Sequence, residues 1–111
     1  MEILFTSERL SQLLHSQKAL ARAYGPETAA LIPKRLDNLR FSKNLAAALN
    51  LPGRLHELKG DRAGTFAIVL KHGYRLILRP TEQPPPLKPD GGIDLQAIQS
   101  VVILAVEDYH D

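Results

Sequence analysis

Residues 51–80 read LPGRLHELKGDRAGTFAIVLKHGYRLILRP, and the order of turns and apolar runs within them decides the fold. A Leu51-Pro52-Gly53 turn leads into a charged strand. A glycine-containing turn, the apolar strand TFAIVL, a His72-Gly73 turn and the strand YRLILR follow, which is the pattern of a small antiparallel meander. Phe66, Ile68 and Leu70 alternate with Ala67 and Val69, and Leu76 and Leu78 alternate with Arg75, Ile77 and Arg79. A period of two is what half-buried strands require. The same stretch concentrates Arg54, His56, Lys59, Arg62, Arg75 and Arg79 against only Glu57 and Asp61, so it demands an anion. An arginine sheltered beside Ile77 needs a planar partner, either a carboxylate of the chain such as Asp108 or the phosphate of a ligand.

Working outward toward the N-terminus, Met1 to Thr6 reads as a short strand. The spacing of Leu10, Leu13, Leu14, Ala19, Leu20, Ala23 and Tyr24 predicts one amphipathic helix from about residue 7 to Tyr24. Gly25-Pro26 stops it and starts a second helix, PETAALIPKRLDNLRF, with Ala29, Ile32, Leu36 and Leu39 as its buried stripe. Pro33 inside that stripe predicts either a kink or a loop. A short segment, NLAAALN, then returns to the Leu51 turn, and the helical hairpin covers one face of the sheet. Toward the C-terminus, TEQPPPLKPDGG at about 80–92 predicts a stiff excursion in polyproline geometry between two strands, or more remotely a docking peptide for an aromatic groove. Asp94 is placed to cap one helical turn. VVILAV is the most apolar run and predicts a central strand covered on both faces. It ends in Glu107, Asp108, Tyr109 and His110, an acid, a phenol and an imidazole expected at one sheet edge.

The bulk properties narrow the class. A chain of 111 residues supports a single domain spanning 1–111. Cysteine is absent, which removes disulfide and thiolate chemistry, and only four histidines are available for a zinc site, so neither metal nor cofactor is expected. No apolar run is long enough to span a membrane and no secretory signal is read, so the expected location is cytoplasmic. The net charge of +2 hides a polarity: residues 1–52 carry +3, 53–79 carry +4 and 80–111 carry −5.

The residues LPGRLHELKGDRAGTFAI, YRLIL and the terminal DYH together resemble the host-inhibition toxins of bacterial toxin-antitoxin modules, in the RelE/ParE superfamily and nearest its HigB branch. The resemblance covers about Leu36 to His110, apart from the proline loop, which is longer than the usual connection. It implies an α+β fold, RelE-like, with two N-terminal helices packed on a small twisted antiparallel sheet. It further implies a type II toxin that cleaves messenger RNA on the ribosome without a metal. By the same resemblance, His56, Lys59, Asp108, Tyr109 and His110 carry the catalytic roles, while Arg62 and Arg75 contact the RNA backbone; Arg54 and Arg79 join them as further cations of the meander. The implied partners are a helix-turn-helix antitoxin, the ribosome with its message, and operator DNA reached only through the antitoxin complex. Two other readings remain open at this level: a ParE-like inhibitor of gyrase, and a nonenzymatic or inactive RNA-binding homologue.

Overall fold

Two serines set the beginning of the helical layer. Ser7 Oγ accepts from the Leu10 amide at 3.0 Å and opens α1, Glu8–Leu14; Ser16 Oγ accepts from the Ala19 amide at 3.2 Å and opens α2, Gln17–Tyr24. The single helix expected from about residue 7 to Tyr24 is therefore two. Ser16 competes for the amides of the turn ahead of it, and a good N-cap is favoured outside a helix rather than within one. The apolar spacing passes through the break unchanged, which is why periodicity alone does not reveal it. The computed structural model describes residues 1–109, and His110 lies outside the described residues.

Helix α3, Pro26–Phe41, runs straight through Pro33 and buries Thr28, Ala29, Ile32, Leu36 and Leu39. A proline at position 33 has no N–H for the carbonyl of Ala29, four residues earlier, and would leave that acceptor orphaned in the interior. The side chain of Gln17, on α2, fills the vacancy: its Nε2 donates to Ala29 O at 2.8 Å. The kink-or-loop alternative is thus resolved by a neighbouring helix that satisfies the carbonyl. The first turn of α3 also docks on the sheet, with Thr28 Oγ1 donating to Lys71 O at 3.1 Å.

A short α4, Leu45–Ala48, precedes the sheet strands β2 (His56–Glu57), β3 (Phe66–Val69), β4 (Tyr74–Pro80) and β5 (Ser100–Asp108); β1 is Glu2–Phe5. The sheet order is β1-β5-β4-β3-β2. The meander read from residues 51–80 is present, although its charged strand shrinks to two residues because Gly60–Arg62 turns into a 3-10 segment. β1 adds a parallel edge to β5, which makes VVILAV an interior strand, second from the edge; Val101, Val102 and Ile103 are buried, whereas Leu104, Ala105 and Val106 are half-buried rather than covered on both faces. Leu14, Leu20, Ile32, Leu36 and Leu39 of the helices pack with Phe66, Ile68, Leu76, Leu78, Val101 and Ile103, so the helices cover one face. The turn expected after Asp94 is a 3-10 segment, Leu95–Ala97, and Asp94 makes no side-chain cap. The proline loop is more ordered than a polyproline excursion. Leu87 bridges Ile93, and the Asp94 amide donates to Pro86 O at 2.9 Å, closing a miniature hairpin. Among the described residues no helix is long and apolar enough to cross a membrane.

One register shift has large effects. Leu78 pairs with Ile103 but Ile77 pairs with Ala105, so Leu104 is an extra residue on β5. A bulge of this kind inverts the facing of everything beyond it. Ile103 lies on the helix-covered face; without the bulge Glu107 and Tyr109 would follow it there.

If Gln17 supplies the donor that Pro33 lacks, Q17A should lower stability by about 1–2 kcal/mol, the cost of an unsatisfied interior carbonyl. Adding P33A should recover most of that loss, because a main-chain N–H then reaches Ala29 O. Urea denaturation of the two single variants and the double variant checks the cycle.

Candidate nucleic-acid interface

The face opposite the helices carries the candidate site. Cross-strand pairing aligns His56, Ala67, Ile77 and Ala105 in one row, and Val69, Arg75 and Glu107 in the next. By ideal sheet spacing the Cα atoms of His56 and Arg75 are roughly 12 Å apart on the diagonal, with the buried Ala67 and Ile77 in the row beside His56.

The strongest interaction on this face belongs to a residue outside the expected set. Glu107 accepts a two-pronged contact from Arg62, with Nη1 to Oε1 at 2.9 Å and Nη2 to Oε2 at 2.7 Å. Arg75 adds Nε at 3.1 Å and Nη2 at 2.6 Å, both to Oε1. Arg62 sits in the connection between β2 and β3, so it reaches across β4 to β5, a span of about 10 Å. Hydrogen bonds from the two guanidinium groups hold the Glu107 carboxyl at about 2, far below its ordinary 4.5. The same contact raises the Arg62 guanidinium. Of the two partners open to Arg75, a carboxylate of the chain such as Asp108 or a ligand phosphate, the structure shows a carboxylate, that of Glu107, which the bulge at Leu104 turns toward Arg75. Tyr109 lies on the same face, with its ring 5.0 Å from the Arg75 guanidinium carbon.

The remaining expected residues separate. His56 is exposed, and its Nδ1 lies 2.8 Å from Arg54 O. A carbonyl only accepts, so in the neutral ring Nδ1 carries the proton and Nε2 keeps its lone pair toward solvent. Arg54 itself is exposed at φ 49°, and its visible contribution is that carbonyl. Lys59 is exposed at the start of the 3-10 turn and makes no ion pair with the described residues. Asp108 pairs with Tyr74 and, by strand alternation, points to the opposite side from Glu107 and Tyr109. Arg79 shares the face of Arg75 but donates to Pro80 O at 2.9 Å, about 13 Å farther along β4, at the foot of the proline hairpin. The structure therefore brings together His56, Arg62, Arg75, Glu107 and Tyr109 on one face. Glu57 braces the intervening loop by accepting from the Gly64 amide at 3.0 Å. Among the described residues no three His, Cys, Asp or Glu side chains converge as metal ligands.

The depressed Glu107 carboxyl makes a signed prediction. Its contribution to stability is complete above the unfolded value near 4.5 and is lost as pH falls through about 2. Native chain should exceed E107Q by roughly 1 kcal/mol at neutral pH, a figure kept small by solvent screening. The gap should stay flat down to about pH 5 and close between about pH 4.5 and 2 in denaturation curves.

No protein-family model matches this chain, and no curated protein matches it significantly. Solved structures do match. A YoeB/ParE toxin from Agrobacterium tumefaciens superposes with TM-score 0.59 and 13% identity, covering 99% of this chain and 100% of its own. The YoeB dimer from Staphylococcus aureus superposes with TM-score 0.55 and 16% identity, covering 100% of this chain and 98% of its own. At such identities the likeness is one of fold: N-terminal helices packed against a twisted, open and mainly antiparallel sheet are common to this chain and these two structures.

Proposed function

We propose that this protein is the toxin of a type II toxin-antitoxin module and a metal-independent endoribonuclease that cuts messenger RNA on the ribosome. The observation that carries the reading is the shared face: His56, with Nε2 available as a base, lies diagonally across from Arg75 and Tyr109 on a sheet side that the apolar helices do not cover. A phosphodiester seated between them meets a base at one end and a cation with an aromatic ring at the other.

Cleavage needs no external nucleophile. The ribose 2′-hydroxyl gives its proton to His56 Nε2, and the oxygen attacks the adjacent phosphorus. The bond from phosphorus to the 5′-oxygen breaks, and that oxygen takes a proton from the general acid, a role that falls to His110. The products are a 2′,3′-cyclic phosphate and a 5′-hydroxyl. Lys59 and Arg75 offset the charge that develops on the phosphoryl oxygens, where preorganised cations act most strongly. Tyr109 is exposed and offers its ring as a platform for a base. Asp108 follows the strand to the other side and is left with a supporting role toward His110 rather than a direct one. The LHELKGDRAG stretch and the DYH end favour a reading of this toxin as HigB-like. The partners are then a helix-turn-helix antitoxin, the ribosome with its message in the cytoplasm, and operator DNA through the antitoxin complex.

Induced expression with mapping of transcript ends tests this reading. New ends should appear inside translated frames, carry 2′,3′-cyclic phosphate and vanish when initiation is blocked. The H56A/K59A variant should lose cleavage by about 10²–10⁴-fold. Growth arrest with intact transcripts and inhibited supercoiling would replace this reading with gyrase inhibition.

A further inference from the structure

The Arg62–Glu107–Arg75 cluster has an occupant already in the place where an RNA phosphate would bind. A carboxylate and a phosphate offer a guanidinium fork the same pair of oxygens. Arg62 commits both terminal nitrogens to Glu107, one to each oxygen. Resting on the ribonuclease reading above, we propose that Glu107 is a built-in competitor for substrate phosphate, so that RNA engages Arg62 only by displacing it from this carboxylate, while Arg75 keeps its hold.

The asymmetry of the cluster identifies Arg62 as the arm that moves. Its side chain is 40% exposed, against 30% for Glu107 and 20% for Arg75. It ends the 3-10 turn Gly60–Arg62, whose backbone is held by Thr65, so the part free to swing is the half-exposed side chain. Arg75 is fixed from two sides, by Glu107 Oε1 and by the Tyr109 ring, and it projects from the regular pairing of β4 with β5. Two arginines and one carboxylate leave the cluster with a single net positive charge. The carboxyl stays ionised throughout the neutral range, so the competitor is always present. Glu107 thereby sets how tightly the site holds RNA backbone before any chemistry, and acts as an affinity-determining residue rather than a catalytic one.

The test is a double-substitution cycle read by RNA binding. Fluorescence anisotropy with a labelled 12-nucleotide single-stranded RNA follows native chain, E107Q, R62A and the double variant across a series of KCl concentrations. E107Q should bind about five- to tenfold tighter at low salt. Its log–log salt slope should steepen by about 0.7, the increment for one added phosphate contact on a single strand. R62A should change binding by less than about twofold in the native background and should abolish the gain in E107Q, a coupling expected only of groups that interact directly. The charge control E82Q, at the opposite end of β4, should leave the slope unchanged. An E107Q variant that binds no tighter, or an R62A cost equal in both backgrounds, overturns the inference. If E107Q does not fold, R62A alone decides, since a loss above about fivefold means that Arg62 already grips phosphate without competition. Absence of salt-dependent binding in every variant overturns the ribonuclease reading and the inference with it, whereas binding with no coupling overturns the inference alone.

Discussion

The single extra residue at Leu104 is the constraint from which the site follows. β5 is paired on both edges from Ser100 to Ile103, where β1 ends, and past the bulge it follows β4 alone. Before the bulge, Val101 and Ile103 serve the helix-covered core; after it, Glu107 and Tyr109 face the other way. One unpaired residue thus converts a core strand into a site strand within its own length. The helix-covered core continues past the shift through Val106, which pairs with Leu76.

Much of this was legible in the residues. The meander, the two-faced alternation of Arg75 and Leu76, the apolar central strand and the helical layer all follow from periods of 2 and 3.6. His56, Arg62 and Arg75, three of the basic residues singled out in residues 51–80, lie on one face with Tyr109. What periodicity does not carry is register. Glu107 and Asp108 are adjacent acids at the end of the same strand, and choosing the partner of Arg75 between them requires knowing that Leu104 is skipped. Likewise the break at Ser16 and the continuity through Pro33 depend on a serine hydroxyl and on Gln17, side chains whose hydrogen bonds override the backbone rule.

The electrostatics also read differently once geometry is known. Counted along the chain, residues 53–79 hold a cationic excess of +4. In space, Arg62 and Arg75 share Glu107 from a segment rich in acids, and Arg79 turns to backbone carbonyls at the hairpin foot. Arg54 and Lys59 are exposed and make no ion pair among the described residues. Paired guanidinium groups hold geometry, whereas an unpaired ammonium on a flexible stem supplies adaptable charge.

The pairing of β1 with β5 has a consequence for the order in which the molecule comes into being. Glu2 to Phe5 are matched with Ser100 to Ile103, so the earliest strand waits for the latest one. During synthesis β4 can meet β3 across a tight turn, but β1 has no strand to join until residues near 100 leave the ribosome. Contacts this distant along the chain close slowly. Arg62 and Arg75 are then without Glu107, and Tyr109 is absent from its face, until β5 is in place. Completion of the sheet and completion of the site are one event, and it falls after translation of the strand that carries them.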